Sequence, residues 1–366
     1  MDHNRSHSLA RRVLTGAASF AAGGALLASA PAALAATATP TAGGVGAGHA
    51  VSPAAQRAAL AYWTPSRLAA APRDDIIAAT PGTLTQKVPT SRAPGSVISV
   101  PGGSPTGQPT PLEPFTNPGV RANSTFYVPT SDYTRFPYRV NGRIFFNNPD
   151  GGGSCSGTSV ASYRGTALED EVWTAGHCVG NPEGKFPGVW DTSAVFIPAY
   201  NGNSSNYAPY GTFSANYFYT TNAWLHSSDL AEDEAAFIVG TNANGQVLGQ
   251  TVGWDGFAAN EPDQENFNAF GYPAASPYNG TSMVQDTAST SVVANGGSPG
   301  QDVIGMPSTL NQGSSGGAWD IDWTTTQDGY INGHNDFLAN NYPGVMFSPY
   351  QDSLANTIRC LGASSC

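Results

Sequence analysis

Charged residues, and basic ones above all, are scarce in this 366-residue sequence. Only 11% of the residues are charged, and 15 Lys and Arg stand against 26 Asp and Glu. The imbalance grows along the chain, because residues 116–366 hold seven basic residues against 22 acidic ones and carry a formal net charge of −15. Nucleic acids and anionic membrane surfaces are bound through basic patches. The composition argues against both as partners and favours a soluble extracellular protein.

Cysteine is also rare. The four cysteines, Cys155, Cys178, Cys360 and Cys366, all lie in the last two thirds of the chain. An even number in an exported protein predicts two disulfides. Three pairings are open, and proximity along the sequence favours Cys155 with Cys178 and Cys360 with Cys366.

Long hydrophobic runs are absent except near the N-terminus. A charged stretch over residues 2–12 precedes an apolar, small-residue stretch over 13–34, and Ala33-Leu34-Ala35 offers a cleavage site. This pattern predicts a signal peptide over residues 1–35 and a secreted protein. Too few bulky residues are present to favour the alternative, a retained membrane anchor. Arg11-Arg12 fits twin-arginine export, with an ordinary positively charged region as the alternative.

Regular periodicity is missing from most of residues 36–120, which are rich in Ala, Pro, Gly, Thr and Ser. We interpret this segment as a propeptide and linker, and a disordered spacer without an inhibitory role is the alternative. Ala54–Ala71 is amphipathic and predicts one short helix. Pro94–Pro118 is typical of an extended linker suited to proteolytic removal.

Short runs of β-branched and aromatic residues, broken by Gly, Asn, Asp and Pro, begin near Phe126 and continue almost to the end. They predict an all-β barrel or sandwich of about twelve strands in residues 121–366. Asp352 followed by Ser353–Arg359 predicts one C-terminal helix. Clear strand candidates are Tyr138–Phe146, Ser159–Tyr163, Glu171–Ala175, Ala194–Tyr200, Ala235–Val239, Gln246–Trp254, Asn266–Tyr272, Thr281–Asp286, Gly317–Trp319 and Gly329–Asn332.

A serine nucleophile needs an imidazole as base and a carboxylate that orients this imidazole. His177 ends a predicted strand and adjoins Cys178, so a disulfide to Cys155 would hold it rigidly. Gly313-Ser314-Ser315-Gly316-Gly317 surrounds a serine with glycines, which allows backbone N–H groups to converge on a substrate carbonyl oxygen. We therefore predict Ser315 as nucleophile and the N–H groups of Gly313 and Ser315 as the oxyanion hole.

Two aspartates, Asp229 and Asp233, are candidates for the carboxylate that orients His177. Asp233 leads directly into a predicted core strand, whereas Asp229 lies in a more polar stretch, so Asp233 is the predicted partner of His177. An α/β-hydrolase would need its acid and histidine after the nucleophile, and only 51 residues follow Ser315. The order His, Asp, Ser suits a chymotrypsin-like enzyme instead.

Three blocks, Thr174–Cys178, Asp233–Phe237 and Gly313–Gly317, together resemble the signature blocks of chymotrypsin-family serine peptidases. The resemblance implies two six-stranded antiparallel β-barrels with the active site between them, and a Cys155–Cys178 bridge beside the catalytic histidine. Phe136-Pro137-Tyr138, Gly142–Phe146 and Phe270–Pro273 resemble the bacterial glutamyl endopeptidase branch. Ser314 stands where digestive members of the family have an aspartate that pairs with the new N-terminus. Activation must then use another route, and we expect propeptide removal.

Specificity residues follow from the same resemblance. His334 falls where the glutamyl branch places a pocket histidine, and Thr309 could help to bind a carboxylate, so we expect cleavage after Glu. A surface histidine on a turn is the alternative for His334. Cleavage after Lys or Arg is not expected, because Pro307–Leu310 offers no carboxylate for the pocket base.

The sequence thus predicts a secreted, monomeric serine endopeptidase that acts on proteins or peptides through an acyl-enzyme. It predicts no cofactor and no catalytic metal, because neither His177 nor His334 has a second histidine or paired carboxylates at ligand spacing. Two other functions stay open. One is a catalytically inactive binding protein of the same fold, and the other is a serine esterase.

Overall fold

Seven ranges of the chain are described by a computed structural model: residues 45–73, 77–79, 84–87, 93–105, 123–162, 169–295 and 302–361. All of them belong to one compact unit, Pro40–Cys366. The predicted signal peptide, much of the predicted linker and Cys366 lie outside the described residues. Within those ranges, no helix is both long and apolar enough to cross a membrane.

Strands dominate the described residues, as expected from the many short runs of β-branched and aromatic side chains. The strands are β1 (Gly46–Ala50), β2 (Ile77–Ala79), β3 (Thr85–Lys87), β4 (Ile98–Val100), β5 (Ser124–Tyr127), β6 (Asn141–Asn147), β7 (Gly153–Val160), β8 (Glu171–Ala175), β9 (Thr192–Pro198), β10 (Phe213–Thr221), β11 (Glu234–Val239), β12 (Gly256–Ala259), β13 (Asn266–Gly271), β14 (Val284–Ser289), β15 (Val292–Asn295), β16 (Asp302–Pro307), β17 (Ala318–Ile321), β18 (Tyr330–His334), β19 (Phe337–Ala339) and β20 (Val345–Pro349). The helices are α1 (Pro53–Tyr62), α2 (Pro65–Ala70), α3 (Asn222–Ser227), α4 (Leu248–Val252) and α5 (Ser353–Cys360).

The first half of the predicted enzyme domain forms a closed barrel. Its six antiparallel strands pair in the order β10-β11-β8-β7-β6-β9, and a short ladder between β9 and β10 closes the ring. Closure leaves no free strand edges within the ring. The interior is filled by buried apolar side chains such as Ile144, Phe196 and Phe237.

The second half is built from two sheets around a shared core. One sheet has the order β4-β12-β18-β17-β13-β14-β5, and the other has the order β2-β19-β20-β16-β15-β3. Side chains from both sheets, among them Phe267, Trp319 and Phe347, pack in one buried cluster. The all-β class, the antiparallel barrel architecture and the C-terminal helix α5, capped by the Asp352 side chain, are confirmed.

One predicted strand, Gln246–Trp254, is wrong, because the chain forms α4 there. Leu248 and Val252 are both fully buried in the barrel core. Their spacing of four residues places them on the same face of a helix. The segment follows this helical period, although its β-branched residues favour a strand.

The segment before the enzyme domain is more ordered than its composition predicts. Instead of one helix over Ala54–Ala71 it forms α1 and α2, each beginning with a proline behind a Ser or Thr cap. Trp63 and Leu68 are buried in a cluster with residues of the first barrel. Strands β1, β2, β3 and β4 add to the edges of all three sheets. Residues 45–105 therefore pack on the enzyme domain wherever they are described.

Candidate active site

His177 lies on a single turn of 3-10 helix, Gly176–Cys178, at the end of β8. The next residue, Cys178, is joined by a disulfide to Cys155 on β7. Because β7 and β8 are neighbours in the barrel, the bridge ties the turn to its own sheet. The position of the His177 backbone is thereby restricted from both sides.

Asp233 directly precedes β11, which pairs with β8 so that Glu234 lies opposite Ala175. This register brings Asp233 beside His177. One carboxylate oxygen accepts the backbone N–H of His177 at 2.7 Å, and the other lies 2.9 Å from the ring Nδ1. Asp229 instead accepts the N–H of Ala231 and caps the turn before Asp233. The structure thus brings Asp233, and not Asp229, to His177.

Ser315 lies on the loop before β17, where Gly313 and Gly316 both have positive φ, at 92° and 77°. Such angles suit glycine, since it has no Cβ. A Cβ on Gly316 would collide with Thr174 and Ala175, which shows how closely the loop packs on β8. The carbonyl of Ser315 accepts the N–H of Ser156 at 2.7 Å. The loop is therefore fixed against the strands that hold His177.

The Ser315 Oγ and the His177 Nε2 are the two atoms that the predicted triad would use for proton transfer. Neither the Ser315 Oγ nor the His177 Nε2 has a partner within the described chain, and both side chains are fully buried. Among those residues, no acceptor is found for the N–H groups of Gly313 and Ser315 either. Ser314 is engaged locally, because its hydroxyl donates to the carbonyl of Asn311 at 2.7 Å.

Charge and burial act in opposite directions on His177. Burial alone would lower the pKa of the imidazole, but the neighbouring carboxyl groups, Asp233 first and Asp336 in addition, outweigh burial and raise this pKa well above its usual value. The imidazolium that forms when a base takes a proton would therefore be stabilised.

The two predicted pocket residues are not brought together by a hydrogen bond. His334 ends β18 and is buried; its Nε2 donates to the carbonyl of Asp233 at 3.0 Å, and its Nδ1 has no partner among the residues described. Thr309 is exposed and its hydroxyl lies 2.7 Å from that of Tyr278. His334 therefore contacts the predicted triad directly, whereas Thr309 has no hydrogen bond to it among the described residues.

Three residues at the site were not predicted from the sequence. Ser156 donates its hydroxyl to the carbonyl of Gly313 at 3.0 Å and accepts the N–H of Tyr272. Asn335 donates to the carbonyl of Ser314 at 3.2 Å, and a carboxyl oxygen of Asp336 lies 3.4 Å from the His177 Nδ1. The one available signal was Asp336, an acid that leads into the apolar Phe337-Leu338 just as Asp233 leads into β11.

Two groups of side chains in the described residues have enough clustered ligand atoms for a metal ion. One is Cys155, His177 and Cys178, but its sulfurs form the disulfide. The other is His177, Asp233 and Asp336, whose ligand atoms lie within 4.8 Å of one another. A metal there would compete with the hydrogen bond between Asp233 and the His177 Nδ1. The pairing of Cys360 with Cys366 remains a prediction, since Cys366 is not described.

Comparison with known proteins gives several relatives. No family model matches the sequence. The crystal structure of protease Anisep from Arthrobacter nicotinovorans is 30% identical, has a TM-score of 0.52, and covers 62% of this chain and 96% of its own. The thermostable serine protease AL20 from an extremophilic microorganism is 29% identical, with a TM-score of 0.53 over 65% of this chain and 100% of its own.

A curated relative is the extracellular metalloprotease of Bacillus subtilis (strain 168), which is 32% identical over 127 residues. The match spans only 35% of that protein's length. The solved structures are matched over nearly their full length, one of them at 30% identity, and this chain shares their fold. The chain therefore belongs to the chymotrypsin-like family of serine peptidases.

Proposed function

We propose that this chain is the secreted precursor of a serine endopeptidase whose triad is His177, Asp233 and Ser315. One observation carries the proposal: Asp233 holds the His177 Nδ1 at 2.9 Å, which leaves Nε2 without a partner in the described chain, on the turn against which the Ser315 loop packs. A ring held in this way carries its proton on Nδ1 and presents a lone pair on Nε2. That lone pair is what a hydroxyl nucleophile needs.

The proposed reaction has two stages. The His177 Nε2 takes the proton of Ser315 while the Oγ attacks the scissile carbonyl, and the N–H groups of Gly313 and Ser315 bind the oxyanion. The imidazolium then gives its proton to the leaving amine, which breaks the peptide bond and leaves an acyl-enzyme. Water, deprotonated by His177, hydrolyses the acyl-enzyme and restores the serine. The substrates are proteins or peptides, and we propose that the mature enzyme is a monomer.

We further propose that residues 1–35 direct export, that residues 36–120 keep the precursor inactive, and that residues 121–366 are the mature domain. The burial of Ser315 and His177 supports latency, because a substrate carbonyl cannot reach a fully buried Oγ. In addition, β2 pairs with β19, which would otherwise be an edge strand directly after Asp336. A free strand edge can bind an extended peptide, and β2 occupies this edge.

A preference for Glu is proposed through His334, with a condition set by its protonation. The Nε2 of His334 already donates to Asp233, so only Nδ1 is left to face a substrate carboxylate. Burial lowers the pKa of His334 to about 4, so Nδ1 is unprotonated at neutral pH and would repel a carboxylate. Binding of Glu must then bring a proton to Nδ1. Thr309, whose hydroxyl contacts Tyr278, is proposed only as part of the outer pocket wall.

Metal-dependent peptidase activity is a second candidate, because one relative is named a metalloprotease and because His177, Asp233 and Asp336 cluster their ligand atoms. We favour the serine mechanism, in which the same atoms are used for hydrogen bonds. Incubation of the processed enzyme with EDTA should leave peptide cleavage unchanged. Loss of cleavage on chelation, with recovery on adding Zn²⁺, would support the metal-dependent alternative.

Covalent labelling of the nucleophile tests the proposed triad. A fluorophosphonate probe should modify the processed protein at Ser315, as read by mass spectrometry of chymotryptic peptides, because no Lys or Arg lies between Lys185 and Arg359. Ser315→Ala should abolish labelling. Ser314→Ala is the matched control, because the neighbouring hydroxyl is bonded to the carbonyl of Asn311, and it should still be labelled. Absence of labelling at Ser315 in folded, processed protein would favour the inactive binding protein.

A further inference from the structure

Three consecutive residues, His334–Asp336, begin at the end of β18 and contact Asp233, the two neighbours of Ser315 in the chain, and His177. His334 donates its Nε2 proton to the carbonyl of Asp233. Asn335 donates its amide to the carbonyl of Ser314, and its own carbonyl accepts the N–H of Gly316 at 2.7 Å. Asp336 faces the imidazole of His177. Of these three contacts, only the last brings a second carboxyl group to the catalytic base.

Asp336 lies in an environment without a donor of its own. It is fully buried, and neither of its carboxyl oxygens accepts a hydrogen bond from the described part of the chain. Its 3.4 Å distance to the His177 Nδ1 is longer than the 2.9 Å of Asp233, so the Nδ1 proton is directed to Asp233. One carboxyl oxygen of Asp336 lies within 4.8 Å of one of Asp233, and a hydrogen bond that the two groups share is among the causes that raise the pKa of Asp336. Two carboxyl groups can share a hydrogen bond only if one of them carries a proton.

The titratable groups that face Asp336 decide which carboxyl is protonated. Asp233 is bound by two N–H groups of His177, whereas Asp336 has no such donor. Burial raises the pKa of Asp336 well above its usual value, and the charge of Asp233 adds to this effect. His177 acts in the opposite direction and lowers the pKa of Asp336, but burial outweighs it. Burial also raises the pKa of Glu234, and burial lowers that of His334 to about 4, so His334 is uncharged at neutral pH.

We propose that Asp336 is a positioning residue of the triad, which donates its carboxyl proton to the Asp233 carboxylate and so fixes the acid that orients His177. The inference rests on the proposed function, because it needs His177 to be the base. At neutral pH the triad then holds one negative charge, on Asp233. At high pH Asp336 loses its proton, the hydrogen bond is lost, and two adjacent carboxylates repel each other. Activity is expected to fall at that point.

The test compares processed wild type, Asp336→Asn and Asp336→Ala. The asparagine amide can replace the acid as donor to Asp233, whereas alanine cannot. We expect Asp336→Ala to lower kcat by about 10- to 100-fold, the range that corresponds to one hydrogen bond to a charged group. Asp336→Asn should lose several-fold less. Its pH profile of kcat/KM should keep the acid limb of the wild type and should lack the decline at high pH, since asparagine does not ionise.

Two results would overturn the inference. A shift of the acid limb by a full pH unit to lower pH in Asp336→Asn would mean that Asp336 is ionised in the wild type. Unchanged kcat and unchanged pH limbs in Asp336→Ala would mean that Asp336 does not act on the triad.

A second measurement separates this inference from the proposed function and does not need activity. The pKa of His177 is read by NMR of ¹⁵N-histidine in Ser315→Ala, with and without Asp336→Asn. If Asp336 is protonated, the pKa of His177 should be the same in Ser315→Ala and in the double variant with Asp336→Asn. A lower pKa of His177 in the double variant would contradict the proposal. If the wild type shows no Ser315-dependent cleavage, the proposed function fails, while this titration still decides the protonation of Asp336.

Discussion

Asp233 contacts His177 twice, and each contact has its own role. The bond to the backbone N–H holds the turn, and the bond to Nδ1 sets the tautomer of the ring. Both depend on the register between β8 and β11, which places Glu234 opposite Ala175. A carboxylate at this position therefore fixes both the turn and the orientation of the imidazole.

Replacing Asp233 by asparagine tests this role. The amide would face the Nδ1 proton with its own N–H or force the other tautomer, so kcat should fall by about 10³- to 10⁴-fold with little change in KM. Asp229→Asn is the matched control, because the Asp229 side chain caps the preceding turn, and this variant should stay close to wild type. The measurement is steady-state kinetics, with kcat and KM of both variants compared on the same peptide substrate. Equal losses in the two variants would contradict the assignment.

The His334 pocket makes a separate prediction about pH. If a carboxylate binds only together with a proton on Nδ1, the ratio of kcat/KM for a Glu peptide to that for its Gln counterpart should decrease as pH rises from 5 to 8. The reason is that the pKa of free His334, about 4, lies below this range. His334→Gln should make the ratio independent of pH. A constant ratio in the wild type would rule out His334 as the carboxylate-binding group.

At this scale, sequence blocks suffice to predict some residues and not others. His177 and Ser315 are marked by their neighbours in the chain, Cys178 and the flanking glycines. Ser156 and Asp336 act through partners 157 and 159 residues away, Gly313 and His177, and nothing in their local sequence encodes those contacts. Only the folded register of the strands brings them together.

Elements of the N-terminal segment are the least expected part of the fold. Its strands β1 to β4 each add to a sheet edge, and short edge strands of this kind have weak local propensity. These strands form because each one pairs with a strand at the edge of a sheet in the enzyme domain. The same dependence on tertiary context explains α4, where core packing of Leu248 and Val252 outweighs a sequence that favours a strand.

A substitution at Trp63 should weaken the packing of the N-terminal segment, residues 36–120, and leave residues 121–366 unchanged. Its Nε1 donates to the carbonyl of Ser193 at 2.7 Å, and its ring packs against Phe145 of the first barrel. Trp63→Ala removes buried contacts worth about 3–5 kcal/mol in a packed core. The precursor should therefore show activity earlier, or be processed faster, than the parent in a time course with a fluorogenic peptide.

Arg57→Ala is the control for this experiment, since Arg57 lies on the exposed side of α1. It should leave latency as in the parent. After removal of residues 36–120 all three proteins should be identical in activity and melting temperature. A Trp63→Ala precursor that stays as latent as the parent would contradict the inhibitory role of this segment.

Across the whole molecule, buried carboxyl groups are unusually numerous for so few basic partners. Burial raises the pKa of Glu169 to about 7 and those of Glu232 and Glu265 to about 8. An acid whose pKa is raised in the folded state stabilises the fold below its unfolded pKa, and this contribution is lost as pH rises through the folded value. Stability should therefore be highest in mildly acidic solution.

Thermal unfolding tests whether stability falls as pH rises. The variant Ser315→Ala is used because it should not digest itself. The melting temperature should fall by at least about 5 °C between pH 5 and pH 9. Glu265→Gln should reduce this fall, because it removes one of the ionisations while keeping the shape of the side chain. A melting temperature that rises over this range would show that the buried acids are charged and paired in the folded protein.

Cleavage itself is the most direct test of the central claim, that Ser315 is the nucleophile of an endopeptidase. Processed wild type and Ser315→Ala are incubated with the same mixed peptide library, and the new termini are read by mass spectrometry. The account predicts internal peptide bonds cut by the wild type, with Glu prominent before the cut, and no cuts by the variant. Hydrolysis of esters alone, or cleavage that persists in Ser315→Ala, would contradict it.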